Sequence, residues 1–507
     1  MRASRQPFLP WFAACLLATL PLSAAAQQAI TPAPPDLTIV APLRQVSTQP
    51  IQADIAKLVT FGNRSTLSSM DTDLPPGTGV LAASDWVFAE FNRISAACGN
   101  CLEVKRDDFI EPPQAGTPTA PARIVRPTRI VNIYAVLRGS DPAQAARRVL
   151  VTGHYDSRIT DVMNSHDPAP GANDDASGVA VSLECARVLT QSHIKFPASL
   201  VFVAVAGEEQ GLNGSAHLAR LAKSEGWDLE AVLNNDIVGG DTTPGQEALQ
   251  DKSAVRVFSE GVPGAATLDQ LHQIQSAGAE SDSPSRELAR AVLDVATTYF
   301  GPTGQPAPII PGPAHRVSAP VVTAFHPVLI FRRDRFLRGG DHTSFNLEGF
   351  AAVRFTEWRE NFAHQHQNVR VESGTQFGDL LQFVDPEYVA NVARLNAATL
   401  AVLALAPGPP QNVRIHTEAV DNNTQLTWDP PTGFPAGGSY EIVWRDTSAP
   451  TWTNSQPVDH AATAVTLPIS KDNVIFGVRS TDAAGHRSPA VYPTATRAAS
   501  IPTPAAR

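Results

Sequence analysis

Apolar residues recur at helical spacing from Ile51 onward, where Ile51, Ile55, Leu58 and Val59 share one face. A second amphipathic helix fits Ala82 to Ile94, with Val87, Phe91 and Ile94 together. Residues 111–128 hold several prolines and read as a loop. The period then changes. Ile130 to Leu137 and Val149 to Thr152 read as strands, and Val179 to Thr190 as a helix. Ser199 to Ala206 is a continuous apolar run of strand length, the pattern of a strand buried on both faces. Gly214 to Lys223 suits a helix, Ala231 to Asn234 a short strand, and Glu287 to Tyr299 another helix. Val328 to Phe331 and Ala351 to Phe355 read as strands, and Pro386 to Leu405 as a long last helix. Strands alternating with helices predict an α/β fold, a mostly parallel mixed sheet sandwiched by helices.

After Ala406-Pro407-Gly408-Pro409-Pro410 the helical period disappears. Leu426 to Trp428, Tyr440 to Trp444 and Val474 to Val478 are short strand-like runs separated by turn residues. They predict a small all-β sandwich over 406–500. The segment resembles a fibronectin type III module. Val413, Trp428, Tyr440, Leu467 and Phe476 stand at its core positions, and Asp482-Ala483-Ala484-Gly485 at its final hairpin. The proline-rich linker predicts that this module is separable from residues 27–405.

The N-terminus obeys neither pattern. Arg2 and Arg5 precede an apolar stretch from Phe8 to Leu22, broken by Pro10 and Pro21, and Ala24-Ala25-Ala26 precedes Gln27. This is the pattern of a secretory signal peptide over 1–26, and the stretch is short for a membrane anchor. No later run reads as a membrane span. An exported protein, secreted or periplasmic, is expected. Residues 27–50, rich in Pro, Gln and Thr, read as an extended lead-in.

Composition adds a few exclusions. With 507 residues, 43% hydrophobic and 17% charged, the chain can bury a sizeable core and is not wholly disordered. Its 43 prolines and 33 glycines imply long loops. A net charge of −10 argues against a basic nucleic-acid binder. Cys15 leaves with the leader. Cys98-Gly99-Asn100-Cys101 has no second C-x-x-C for zinc, so in an exported chain it reads as a small structural disulfide. Cys185 lies in an apolar helical stretch and reads as a buried free thiol.

Five segments place metal-binding side chains at strand ends or in glycine-supported loops. Val151-Thr152-Gly153-His154-Tyr155-Asp156 puts an imidazole at a strand end with a carboxylate two residues on, close enough to fix the ring's tautomer. Gly171-Ala172-Asn173-Asp174-Asp175-Ala176-Ser177-Gly178 puts adjacent carboxylates at a helix start, where they also suit simple capping. Ala206-Gly207-Glu208-Glu209 follows the most apolar strand, and charges there need partners. Asn234-Asn235-Asp236 ends another strand, and Gly339-Gly340-Asp341-His342 delivers a second histidine. Carboxyl ends of parallel strands share one sheet edge, where α/β sites form. Mixed nitrogen and oxygen ligands without thiolate suit Zn²⁺, and five are enough for two ions sharing one carboxylate.

In this order and spacing the motifs resemble the di-zinc exopeptidase family of secreted leucyl aminopeptidases, aminopeptidase Y, glutamate carboxypeptidases and glutaminyl cyclases. The likeness covers roughly residues 50–405. It implies two Zn²⁺ per chain, with His154 and Asp236 on one, Glu209 and His342 on the other, and Asp174 bridging them. It further implies Glu208 as general base toward a metal-bridged water, and Asp156 as the orienter of His154. Asp175 stands where many relatives carry Asn. Many relatives also have a Tyr-His pair late in the domain. Gln365-His366 is the nearest equivalent, and His366 reads either as a site residue or as a core-edge histidine.

The expected activity is a secreted aminopeptidase acting on peptides with a free N-terminus. A carboxypeptidase, a glutaminyl cyclase and a catalytically inactive binding protein are the alternatives. Arg332, Arg333 and Arg335 read either as a grip for a terminal carboxylate or as a solvated loop.

Overall fold

The computed structural model describes residues 28–118, 120–301 and 325–496. The expected leader over 1–26 and Cys15 lie outside them. Eight strands form the central sheet: β1 (Leu102–Glu111), β2 (Thr128–Leu137), β3 (Arg147–His154), β4 (Ser199–Val205), β5 (Asp228–Asn235), β6 (Ala254–Phe258), β7 (His326–Ile330) and β8 (Ala352–Glu357). Their order is β1-β2-β4-β3-β5-β8-β6-β7. The centre, β4-β3-β5-β8, is parallel, while β1 and β2 run antiparallel at one side and β6 pairs antiparallel with β8. Every residue of β4 is buried, as its unbroken apolar run requires.

Helices cover both faces. On one, Ile51, Ile55 and Leu58 of Thr48–Val59 and Val87, Phe91 and Ile94 of Gly79–Ala97 join a single core with Ala176–Thr190, Pro284–Phe300 and Pro386–Leu405. On the other, Leu218, Ala219 and Ala222 of Asn213–Ser224 pack on Leu150, Val201 and Val203. Pro386–Leu405 has the length and hydropathy to cross a membrane, but it is almost wholly buried against the sheet and its neighbours. Cys98 and Cys101 form a disulfide, and Cys185 is buried and free.

The lead-in is not simply extended. Leu37–Leu43 is a helix, started by the Asp36 carboxylate accepting the Thr38 N–H at 2.8 Å.

The C-terminal region forms two antiparallel-rich sheets packed face to face, and Val413, Trp428, Tyr440, Leu467 and Phe476 all lie in its core. It is tightly joined to the rest. Residues 406–408 are buried, and Arg147 donates to the carbonyls of Ala406 and Leu403 at 3.0 and 3.2 Å. Arg445 pairs with Asp282 at 2.6 Å, and Arg479 pairs with Asp294 at the same distance. Gln28–Ala29 adds a strand to the sandwich beside Asn454–Val458. The proline-rich segment, expected to leave the sandwich separable, is held by these contacts at 406–408.

Candidate metal centre

Three parallel strands deliver the site. His154 ends β3, Asp236 follows β5 directly, and Glu208 and Glu209 lie just beyond β4. Because β3 sits between β4 and β5, their carboxyl ends set these side chains next to one another. Asp174 comes from the loop before Ala176–Thr190, and His366 from the loop after β8. The strand end and helix start touch through glycine. A Cβ on Gly153 would lie 2.4 Å from the carbonyl carbon of Gly178.

Asp175 fixes these segments to one another. Its Oδ1 accepts the Gly178 N–H at 2.9 Å and the Ile237 N–H at 3.2 Å, and its Oδ2 accepts the His154 N–H at 3.0 Å. The helix-capping role thus belongs to Asp175, and Asp174 is left for the site. Asp379 holds Asp174 from the other side, accepting its backbone N–H at 2.7 Å.

Asp174 stands between two groups of ligand-type atoms. Its Oδ1 is 3.1 Å from His154 Nε2, and its Oδ2 is 2.9 Å from His366 Nε2. His154, Glu208 and Asp236 each bring one such atom within 4.8 Å of the others, and so do Asp174, Glu209 and His366. Asp236 Oδ2 is buried without a hydrogen-bond partner. Leaving buried polar atoms unpaired is costly. Nitrogen and oxygen donors converging in this way fit a divalent ion such as Zn²⁺.

The electrostatics agree with that fit. Burial pushes the Glu208 carboxyl well above the usual range, and the charges of Glu209 and Asp236 add to this against His154. Burial disfavours a charged His366 and Glu209 and Asp174 favour one, but the Arg158 guanidinium 2.6 Å from Nδ1 leaves no place for a proton on that nitrogen. Glu209 and Asp236 reinforce the Glu208 rise and Glu209 and Asp174 act on His366, so the pocket is dense in negative charge that a cation would stabilise.

Asp156 ties the first histidine to the glutamates. His154 Nδ1 lies 3.2 Å from the Asp156 carbonyl oxygen and 3.4 Å from Oδ1. The same carboxylate accepts the backbone N–H of Glu208 at 3.4 Å, that of Glu209 at 3.2 Å, and the Thr66 hydroxyl at 3.1 Å.

His342, expected as a ligand, does not join either group. Its Nε2 donates to the Arg333 carbonyl at 2.7 Å and lies 3.5 Å from Asp334 Oδ2. Burial pushes this imidazole down to about 4, with Asp334 opposing. The Gly339-Gly340 loop leads into the short helix His342–Leu347, where Nε2 is paired to main chain and Nδ1 is buried without a hydrogen-bond partner. The histidine that lies in the second group is His366, and Gln365 beside it donates to Asp174 Oδ2 at 3.1 Å.

Other contributors were missed in the sequence. Arg354, fully buried in β8, reaches Asp236 Oδ1 at 2.8 Å. A charge inside an apolar strand needs a partner, and that was the available signal. Arg158 contacts both Glu209 and His366. Of the arginine cluster, Arg335 is held by Asp334 at 3.0 Å and Glu360 at 2.8 Å, while Arg332 and Arg333 are exposed.

Comparison with known proteins places this centre in context. Residues 132–303, which carry His154, Asp174, Glu208, Glu209 and Asp236, match the model of peptidase family M28. A probable zinc metalloprotease of Leptosphaeria maculans is 42% identical over 464 residues, covering 92% of this chain and 98% of its own. One from Pyricularia oryzae is 42% identical over 465 residues, covering 90% and 85%. Among solved structures, the Legionella pneumophila LapA aminopeptidase is similar at 18% identity and a TM-score of 0.48, over 75% of this chain and 78% of its own. A Porphyromonas gingivalis glutaminyl cyclase is similar at 18% identity and a TM-score of 0.43, over 70% and 97%. Sequence identity sustained over nearly the whole length, with the strand-end motifs inside the matched segment, makes this chain a member of peptidase family M28.

Proposed function

We propose that the protein is an exported zinc aminopeptidase that binds two Zn²⁺ and removes N-terminal residues from peptides. The observation that carries this reading is Asp174, whose two carboxylate oxygens face different histidines, His154 and His366. His154 and Asp236 would hold one ion, Glu209 and His366 the other, and Asp174 would bridge them. The whole-length relatives named as probable zinc metalloproteases support zinc as the metal.

Zinc bound there supplies Lewis acidity, which polarises the scissile carbonyl and eases deprotonation of the attacking water. Glu208 is partly exposed whereas Glu209 is buried, so Glu208 is the carboxylate placed to take the water's proton. It then returns that proton to the leaving amine. Asp156 keeps His154 oriented and its Nε2 available to the centre.

The negative pocket suits a free α-amine. Arg335, engaged by Asp334 and Glu360, is not free to grip a terminal carboxylate. Export is supported by the leader pattern at 1–26 and by the Cys98–Cys101 disulfide, which belongs to oxidising compartments. The test is one peptide offered with either end blocked. N-acetylation is expected to stop cleavage and C-terminal amidation to leave it intact. The opposite pattern would assign a carboxypeptidase, and cyclisation of an N-terminal glutaminyl peptide without hydrolysis would assign a cyclase.

A further inference from the structure

Arg158 lies two residues beyond Asp156, and its guanidinium is inserted into the second ligand group. Nε donates to Glu209 Oε2 at 2.9 Å, and Nη2 lies 2.6 Å from His366 Nδ1. The side chain is only 17% exposed. A guanidinium can donate but never accept, so at this distance His366 Nδ1 must be the acceptor. A neutral His366 then carries its proton on Nε2, the nitrogen that faces Asp174 and Glu209.

A histidine that ligates through Nε2 needs the lone pair there, and it carries its proton on Nδ1, donated to an oxygen. His154 meets that requirement, because its Nδ1 faces the carbonyl and carboxylate oxygens of Asp156. His366 does not while Arg158 stays in place. Arg158 also spends a charge-assisted hydrogen bond on Glu209, an oxygen donor the second ion needs. The two ligand groups are therefore unequal. One is preset for a metal, and the other is engaged by a cation of the chain itself.

We infer that Arg158 is a positioning residue that competes with the second metal for Glu209 and His366, so that the two ions bind in sequence with different affinities. This rests on the reading that these residues hold the metals. It leaves the first ion, at His154 and Asp236, largely outside the arginine's influence.

The test is a Zn²⁺ titration of full-length, metal-stripped protein against a chromophoric chelator, repeated with Arg158→Met and Arg158→Lys. Wild type is expected to bind two ions in resolved steps. In Arg158→Met the weaker step should tighten about ten-fold or more, the scale on which groups contacting metal ligands alter affinity. The stronger step should stay put, which also reports that the variant is folded. Arg158→Lys, which keeps the charge but loses the fork, should fall between them and decides the matter if the Met variant does not fold. A second step that is unchanged or weaker in both variants overturns the role of Arg158. A wild-type protein that takes up only one ion under all conditions overturns the two-metal reading itself, which separates the two failures.

Discussion

Arg354 Nη2 lies 2.8 Å from Asp236 Oδ1, with both side chains sealed inside the protein. Its Nη1 donates to the Gly339 carbonyl at 2.9 Å and lies 3.4 Å from Asp334 Oδ2. One cation thus holds a candidate metal ligand and anchors the loop that leads to His342. Arg354→Met keeps most of the volume but strands the buried Asp236 carboxylate and leaves Asp334 to Arg335 alone. The expected loss is about 3–5 kcal/mol of unfolding free energy, the scale of breaking a buried ion pair from one side. Denaturant unfolding measures it. A loss under about 1 kcal/mol, ordinary for a surface site, would mean that Asp236 and Asp334 are compensated elsewhere.

Much of this framework was legible because burial writes itself into period. The all-apolar run of β4 and the helix Pro386–Leu405 fall where the pattern placed them. β1 was not seen, since Glu103, Lys105, Arg106 and Asp108 make this edge strand look like a surface segment. β6, Ala254–Phe258, was not seen because Arg256 interrupts its short apolar run. The same logic divides the site. His154, Glu208, Glu209 and Asp236 could be located because strand ends fix them. His366 sits on an irregular loop after β8, where no period says which way a ring points. His342 looked like a ligand because its glycine-supported loop resembles one, and only the Arg333 carbonyl at 2.7 Å reveals its use.

Glu208 and Glu209 are adjacent but unequal. Glu208→Gln preserves shape and removes the base. Activity should fall about 10²–10⁴-fold, the usual range for general-base catalysis, while metal content stays at the wild-type level. Elemental analysis beside a peptidase assay makes the check. Metal loss in this variant would exchange the roles of the two glutamates.

The two histidines separate just as cleanly. His366→Ala is expected to lose one of two bound ions, because it deletes a nitrogen 3.1 Å from Glu209 Oε1 and 2.9 Å from Asp174 Oδ2. His342→Ala should keep both ions and lose stability instead, by about 1–3 kcal/mol, since the Arg333 carbonyl is left unpaired. Metal analysis of the two purified variants decides. Loss of an ion from the His342 variant alone would make His342 the ligand.

The sandwich is expected to be part of the folding unit. Ending the chain at Ala406 leaves Asp282, Glu287 and Asp294 without Arg445, Trp452 and Arg479, and exposes the apolar surface beside them. Such a truncation should aggregate or melt well below the full-length protein. A soluble truncation with full activity on small substrates would show that the junction is dispensable.

The same junction carries a pH signature. Glu287 accepts from Trp452 Nε1 at 2.9 Å and pairs with Arg290. Burial pushes its carboxyl up from the ordinary 4.5 to about 7, with Arg290 opposing and Asp282 reinforcing the rise. A raised carboxyl means that the folded protein holds this proton more tightly than the unfolded chain does. The stabilisation is then complete below the unfolded value and is lost as pH climbs through the folded one. Stability should fall between about pH 4.5 and 7 and level off above, by roughly 3 kcal/mol at most from this group. Glu287→Gln cannot titrate, so its unfolding free energy relative to wild type should rise across that window and then stay constant. Urea unfolding of both proteins over a pH series gives the difference directly. A difference that is flat from pH 4.5 to 7 would mean Glu287 stays ionised against Arg290 throughout, with the ion pair outweighing burial.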